Sequence, residues 1–157
     1  MSRAKVQLED VIEAIDLPEE SCAYLNKATG EVVWFTDEML SAAQNEDLVI
    51  DDYPEWEREP VLAARQVIDS DDYLVLPDKF ELHEYRIMER FCYSIEDDKI
   101  REELLYAIRG SGAFRRFKDQ VHRRGIVDRW YQFRDCAIEK FAIEWLEDNG
   151  FEWQRRT

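Results

Sequence analysis

Apolar residues recur at helical spacing along most of the chain, most clearly in its second half. Residues 6–16 (VQLEDVIEAID) place Leu8, Val11, Ile12 and Ile15 three and four apart, predicting a short amphipathic helix that ends at Pro18. Two short runs follow, Cys22–Leu25 and Glu31–Phe35, rich in aromatic and β-branched residues. They flank Asn26-Lys27-Ala28-Thr29-Gly30, where Gly30 suits the positive φ of a hairpin loop, so an antiparallel hairpin is expected. Thr36 before Asp37 and Glu38 reads as an N-cap with acids in the first turn, opening a helix over 37–45. The acidic tract Asn45–Glu59, with Pro54, is expected to be loop. Pro60 is expected in the first turn of a helix running to about Ile68, broken by Asp69–Asp72. Tyr73-Leu74-Val75-Leu76 then reads as a third strand beside the hairpin.

In the second half, Asp78 with Glu81 forms a capping-box pattern before a helix over Leu82–Cys92. Ile87, Met88, Phe91 and Cys92, then Ile95, form its apolar stripe. Ser94 with Asp97 reads as a second capping box, opening a helix with Ile100, Leu104, Ala107 and Ile108 on one face. Gly110 and Gly112 punctuate. Phe114, Phe117 and Val121 then share one helical face, predicted to point inward, and Gly125 stops that helix. A last helix over about 128–148 carries Trp130, Phe133, Ala137, Phe141 and Trp145 as its expected inward stripe, with Gly150 closing it. The expected fold is α+β and mainly helical: a small antiparallel β-hairpin near the N-terminus, then a C-terminal helical bundle. A single domain over 1–157 is expected, with an acidic part at 1–75 and a helical core part at 76–157.

Composition narrows the classes. The 157 residues fit one domain, and 45% hydrophobic with 13% aromatic content suffices for a real core. Cys22, Cys92 and Cys136 are odd in number and far apart, which reads as reduced core thiols and not a disulfide framework. No run approaches the roughly 20 apolar residues of a membrane span. The N-terminal residues have no apolar signal core. The expected location is therefore the cytoplasm, with no membrane partner.

The net charge of −15 is unevenly placed. Residues 1–80 carry 6 basic and 20 acidic side chains, whereas residues 105–134 carry 8 basic and 2 acidic, a local +6. The overall acidity argues against indiscriminate nucleic-acid binding, because the whole-molecule field repels phosphate, but it leaves room for a local anion site.

Several motifs in the second half carry a family resemblance. They are Leu76-Pro77-Asp78-Lys79-Phe80-Glu81-Leu82-His83-Glu84-Tyr85 with Ile87-Met88-Glu89-Arg90-Phe91-Cys92, then Ala107-Ile108-Arg109-Gly110-Ser111-Gly112-Ala113-Phe114-Arg115-Arg116-Phe117-Lys118-Asp119, and Trp130-Tyr131-Gln132-Phe133-Arg134-Asp135. Together they resemble the bacterial uncharacterised protein family zero-one-five-eight over roughly residues 76–151, with a looser match through the hairpin of the first half. In that family an Arg or Lys commonly stands between the two glycines, where this chain has Ser111. If that position belongs to a binding site, the site is weaker here. The family has no established activity, so the resemblance implies a fold and no chemistry.

The leading candidate for function is Arg109-Gly-Ser-Gly-Ala-Phe-Arg-Arg-Phe-Lys-Asp119. Glycines before a helix can present backbone N–H groups to an anion, and Arg109, Arg115, Arg116 and Lys118 could supply counter-charge. The spacing matches neither the P-loop nor the dinucleotide turn. The competing reading is a tight interhelix turn whose arginines pair with structural carboxylates. Tyr131 and Arg134, three apart, are the remaining contacts expected on this surface, while Trp130 and Phe133 read as core. The basic and aromatic interleaving also admits a single-stranded nucleic acid, the less favoured partner.

His83, with Glu84 and Glu89, is the imidazole–carboxylate grouping nearest a motif and the weak candidate for acid–base chemistry; a structural or capping histidine is the plainer reading. His122, between Val121 and Arg123, reads as solvent-facing. No metal-ligand spacing and no nucleophile elbow occur, so no metal and no cofactor are expected. The acidic tract with Tyr53 and Trp56 reads either as a solvated loop or as a dock for a basic partner. The function expected is a non-enzymatic cytoplasmic binding or regulatory protein that takes an unknown protein or anionic ligand on 109–134. Two alternatives are an enzyme acting on a phosphorylated substrate through His83 and a nucleic-acid-binding protein.

Overall fold

The computed structural model describes residues 5–47 and 49–156. The elements in chain order are β1 (Val6–Gln7), α1 (Leu8–Ile15), β2 (Ser21–Asn26), β3 (Val32–Thr36), α2 (Asp37–Gln44), a 3-10 turn (Ile50–Asp52), α3 (Glu55–Asp69), β4 (Tyr73–Val75), α4 (Lys79–Leu82), α5 (Glu84–Ser94), α6 (Asp98–Ala107), α7 (Ala113–Arg123), α8 (Val127–Asp148) and β5 (Trp153–Gln154). The chain is thus mainly helical with a small antiparallel sheet near the N-terminus, as its periodicity predicts. The described residues divide into two compact units, residues 1–81 with 142–157 and residues 82–141.

In the first unit the hairpin forms as expected. Asn26 Oδ1 accepts from the amides of Ala28 and Thr29, and the loop closes at Gly30 with φ +76°. β4 joins the other edge of β2, giving the antiparallel order β3-β2-β4. Side chains alternate across a strand. Cys22 and Tyr24 on β2, with Val33 and Phe35 on β3, therefore share one face, and it packs on Leu40 and Ala43 of α2 and Val61, Ala64 and Val67 of α3. Ala23 and Leu25, on the opposite face, are also buried, and α1 lies against β2 and β3. Thr36 caps α2 through Met39 N–H at 3.2 Å, as its position before two acids predicts.

α3 departs from expectation. It starts at Glu55, so Pro60 lies inside the helix and not in its first turn. Proline there forfeits one backbone bond near a solvated helix end. The Arg58 guanidinium offsets that loss by tying down the preceding segment, donating to the carbonyls of Tyr53 (2.9 Å) and Asp51 (3.2 Å).

A second feature escaped the periodicity. The C-terminal residues return to the N-terminal ones: Val6 pairs with Trp153 and Gln7 with Gln154, parallel. Two-residue strands carry no readable alternation, so nothing in the pattern announces this pairing. Trp145 stacks on Phe151 behind it, 6.2 Å between ring centroids at 9°. The Glu9 carboxylate accepts the Arg156 backbone N–H at 2.8 Å, and the Arg156 guanidinium pairs with Asp10.

The second unit is built on an aromatic cluster. Phe91 of α5 meets Phe117 (5.9 Å), Trp130 (5.3 Å) and Phe133 (5.4 Å) edge-on, and Phe117 meets Trp130 at 4.8 Å. Edge-to-face pairs of this kind add about 0.5–1.5 kcal/mol each beyond the area they bury. On α7 the buried residues are Ala113, Phe117 and Val121, four apart. Phe114 is consequently 41% exposed, correcting its expected inward position.

α8 is rotated relative to expectation as well. Its buried residues are Trp130, Ile138, Ala142 and Leu146, so the inward row also passes through Arg134. Phe133, Ala137, Phe141 and Trp145 are only partly buried. Asp97 caps α6 through Ile100 N–H at 3.1 Å. Ser94, assigned by its spacing to the same cap, instead donates its hydroxyl to Phe91 O at 2.6 Å and closes α5.

Of the three thiols only Cys92 is fully buried, and burial pushes it up to about 12; Cys136 is exposed, not a core thiol. Among the described residues no helix is long and apolar enough to cross a membrane.

The Arg156 backbone N–H, then the Glu9 backbone N–H and the nearby arginine charges, hold the Glu9 carboxyl below its ordinary 4.5. A carboxylate whose folded value is depressed stabilises the folded form above its unfolded value and stops doing so as pH falls through the folded one. The C-terminal clasp should therefore hold at neutral pH and loosen below about pH 4.5. The Arg156 amide followed by NMR should report a midpoint under that value, and Glu9→Gln should abolish the transition.

Candidate functional site

The predicted basic surface centres on the connection between α6 and α7. α6 ends at Ala107, and α7 starts at Ala113 behind Gly112, its N-cap residue. Gly110 (φ +71°) and Gly112 (φ +78°) adopt the left-handed conformation that costs other residues roughly 1–2 kcal/mol. Two left-handed residues within three positions let the chain turn sharply between α6 and α7, which is why both positions are glycine.

The turn leaves backbone carbonyls without helical partners. One side chain satisfies three of them. Arg116, on the first turn of α7, folds back so that Nε donates to Ala107 O (2.9 Å), Nη1 to Ser111 O (2.7 Å) and Nη2 to Arg109 O. A Cβ placed on Gly112 would come within 3.0 Å of that Nη1. Arg116 is thus a brace for the turn: three of the five guanidinium N–H groups are engaged by backbone, and the side chain stays exposed with its charge.

Arg134 is held by a carboxylate. Its Nε donates to Glu84 Oε1 at 2.7 Å, with the two side chains 14% and 26% exposed. The pair pins the first residue of α5 to the inward row of α8. Arg124 likewise pairs with Glu103.

What remains at the surface is an aromatic and cationic rim. Tyr85, next to the pinned Glu84, donates its hydroxyl to Ile108 O at 2.9 Å. Its ring meets Phe114 edge-on at 6.5 Å and 78°. The Arg109 guanidinium lies over the Tyr106 ring, 5.7 Å from its centroid. Tyr106 is 73% exposed, and Tyr85 and Phe114 are both 41% exposed. Arg115 and Lys118 are exposed on α7. Among the described residues no carboxylate pairs with Arg109, Arg115 or Lys118.

Of the residues proposed from the sequence, the structure gathers Arg109, Arg115 and Arg116 at the turn and its following helix. It ties Arg134 to Glu84, and it leaves Tyr131 exposed on α8 without a described contact to the rim. Tyr85, Tyr106 and Phe114 were missed. Tyr106 lies three residues before Arg109, a spacing that could have suggested the stacking.

The imidazole–carboxylate grouping lies at the start of α5, with His83 just before the helix and Glu84 its first residue. Glu84 is committed to Arg134, and Glu89 lies partly buried farther along α5. His83 is exposed, and it is the one described non-glycine residue with positive φ (φ 56°, ψ 61°). It makes the break between α4 and α5, where the periodicity predicted one continuous helix. The Asp78 cap on Glu81 N–H, at 3.0 Å, belongs to the shorter α4. Among the described residues no group of three or more His, Cys, Asp and Glu side chains is placed to hold a metal ion. An open groove of about 620 Å3 runs along α3, lined by Leu62, Arg65, Gln66, Asp69 and Ser70, and none of the proposed residues lines it.

The chain belongs to the Uncharacterised protein family (UPF0158). The family model matches residues 4–157, so the resemblance seen in the second half extends over the acidic first half. No similar curated protein and no similar solved structure was found. The family's description brings no activity with it.

Two outcomes separate structural from surface roles. Arg116→Ala should lower stability by about 1–2 kcal/mol, because it removes three bonds that hold the turn, one of them part-buried, whereas exposed Arg115→Ala should stay within about 0.5 kcal/mol. Urea midpoints for the two variants decide this. At position 83, both Gly and Ala remove the imidazole, so their difference isolates the backbone. His83→Gly should be about 1 kcal/mol more stable than His83→Ala, and equal midpoints would remove the strain assignment.

Proposed function

We propose that the chain is a non-enzymatic binding protein of the cytoplasm. Its contact surface is the rim of the α6–α7 turn, formed by Tyr85, Tyr106, Arg109, Phe114 and Arg115, and its partner is an acidic protein segment. The observation that supports this reading most directly is the stack of Arg109 on Tyr106 beside exposed Phe114, with no carboxylate among the described residues paired to Arg109 or Arg115. Exposed tyrosine, phenylalanine and arginine around a braced turn have the composition of an interface core. The brace matters, because rigid contacts lose less conformational freedom when a partner arrives.

The charge distribution supports an acidic protein segment over a long polyanion. The unit holding the rim carries 13 basic and 11 acidic side chains, net +2. The other unit carries 8 basic and 25 acidic side chains, net −17. A long polyanion meets the net −15 of the whole chain, whereas a short acidic segment need meet only Arg109 and Arg115.

The test is a fluorescence-anisotropy titration with a labelled peptide alternating glutamate and leucine, run beside its lysine–leucine counterpart and a single-stranded oligonucleotide. The acidic peptide should bind wild type, and Arg109→Glu/Arg115→Glu should weaken it at least about tenfold, or 1.4 kcal/mol. Tyr131→Ala should leave the affinity unchanged. Equal affinity of wild type and the charge-reversed variant removes the proposal, as does a preference for the oligonucleotide.

A further inference from the structure

The sheet of the acidic unit has an open edge. In the order β3-β2-β4, β3 pairs only with β2 among the described residues. The bonds flanking that pairing fix which groups point outward. Asn26 N donates to Glu31 O at 2.8 Å, and Asp37 N donates to Glu20 O at 2.8 Å. Antiparallel strands alternate hydrogen-bonded and non-bonded pairs. With the register Tyr24↔Val33 and Cys22↔Phe35, residues 31, 33, 35 and 37 thus direct their backbone groups toward β2. Val32 and Trp34 direct theirs away from the sheet, where among the described residues nothing receives them. The Trp34 side chain is 53% exposed beside this edge.

An open edge of β-branched and aromatic residues is a template for one more strand. We propose that the β3 edge receives an extended basic segment of another protein, one that alternates β-branched residues with lysine or arginine. Charge selects this occupant. Glu31 precedes β3, and Asp37 and Glu38 follow it, all exposed, in a unit of net −17. A second copy of β3 laid antiparallel about Trp34 would bring Glu31 of each chain up to Asp37 of the other, and like charges set opposite one another oppose pairing. A lysine or arginine at the same places meets carboxylates, and one over Trp34 gains a cation–π contact. Main-chain bonds to Val32 and Trp34 would hold the strand, and the flanking acids would choose its sequence. This surface lies in the other unit from the α6–α7 rim and takes a partner of opposite charge, so either assignment can fail without the other.

The experiment is amide hydrogen exchange by NMR on the full chain, with a short synthetic peptide alternating valine and lysine. Saturating peptide should slow exchange at Val32 and Trp34 at least about tenfold and leave the amides of residues 106–114 unchanged. A peptide with glutamate in place of lysine should give no protection. Val32→Pro removes an outward donor that the β2 pairing does not use, so it should abolish binding and keep the fold. Should that variant unfold by circular dichroism, Glu31→Lys is read in its place, and it should weaken the peptide at least about threefold. Unchanged exchange at Val32 and Trp34 under millimolar valine–lysine peptide overturns the proposal. Protection that appears without peptide and grows with protein concentration also overturns it, because the occupant is then a second copy.

Discussion

The brace that Arg116 provides underlies the local geometry of the helical unit. Ending α6 and restarting as α7 within five residues leaves carbonyls that no helix can satisfy, in a stretch with two left-handed glycines that opposes its own ordering. A guanidinium presents its donors in one rigid plane, so a single side chain can serve Ala107, Arg109 and Ser111 together. Lysine, a point charge, could not hold that fork. Once the turn is fixed, Ile108 O is placed for the Tyr85 hydroxyl, Tyr85 is placed for Phe114, and Arg109 is placed over Tyr106.

The second constraint is the half-buried pair of Arg134 and Glu84. Arg134 lies in the same row of α8 as Trp130 and Ile138, where an unpaired charge would be costly. Pairing it with the first residue of α5 spares that cost and fixes where α5 begins. The kink before α5, with His83 left-handed, lets Glu84 reach the arginine while Ile87, Met88 and Phe91 turn to the aromatic cluster. Strain at one backbone position and a desolvated ion pair are thus two sides of one arrangement.

Much of the fold was legible because local rules coincide with it. Thr36 and Asp78 cap where capping chemistry says they should, and the Gly30 loop joins strands of the expected alternation. The misses share a physical origin. Helical period alone places Phe114 inward, and a period fixes spacing without fixing which of two adjacent rows faces inward. Pro60 was read as a starting residue because propensity weighs one lost hydrogen bond and not the tertiary contacts of Val61, Ala64 and Val67. The pairing of Val6 with Trp153 joins residues too far apart for any local pattern. The candidate surface was legible in place but not in membership, since sequence counts an arginine as a charge and cannot say what its donors already touch.

That last point changes what the basic stretch means. Of the eight basic side chains in 105–134, Arg116 is bound to neutral carbonyls and keeps its charge, whereas Arg124 pairs with Glu103 and Arg134 with Glu84. The other six share the stretch with Asp119 and Asp128, so the surplus left after pairing is +4 against a linear +6. Attraction over distance is also screened within roughly 8–10 Å at physiological salt. Contact therefore weighs beside field at the turn: Tyr85, Tyr106 and Phe114 expose their rings there, and the Arg109 guanidinium lies over the Tyr106 ring. The acidic segment proposed for this rim would be selected by bidentate geometry and shape as well as by charge, the one way a chain of net −15 could take such a partner without attracting every polyanion around it.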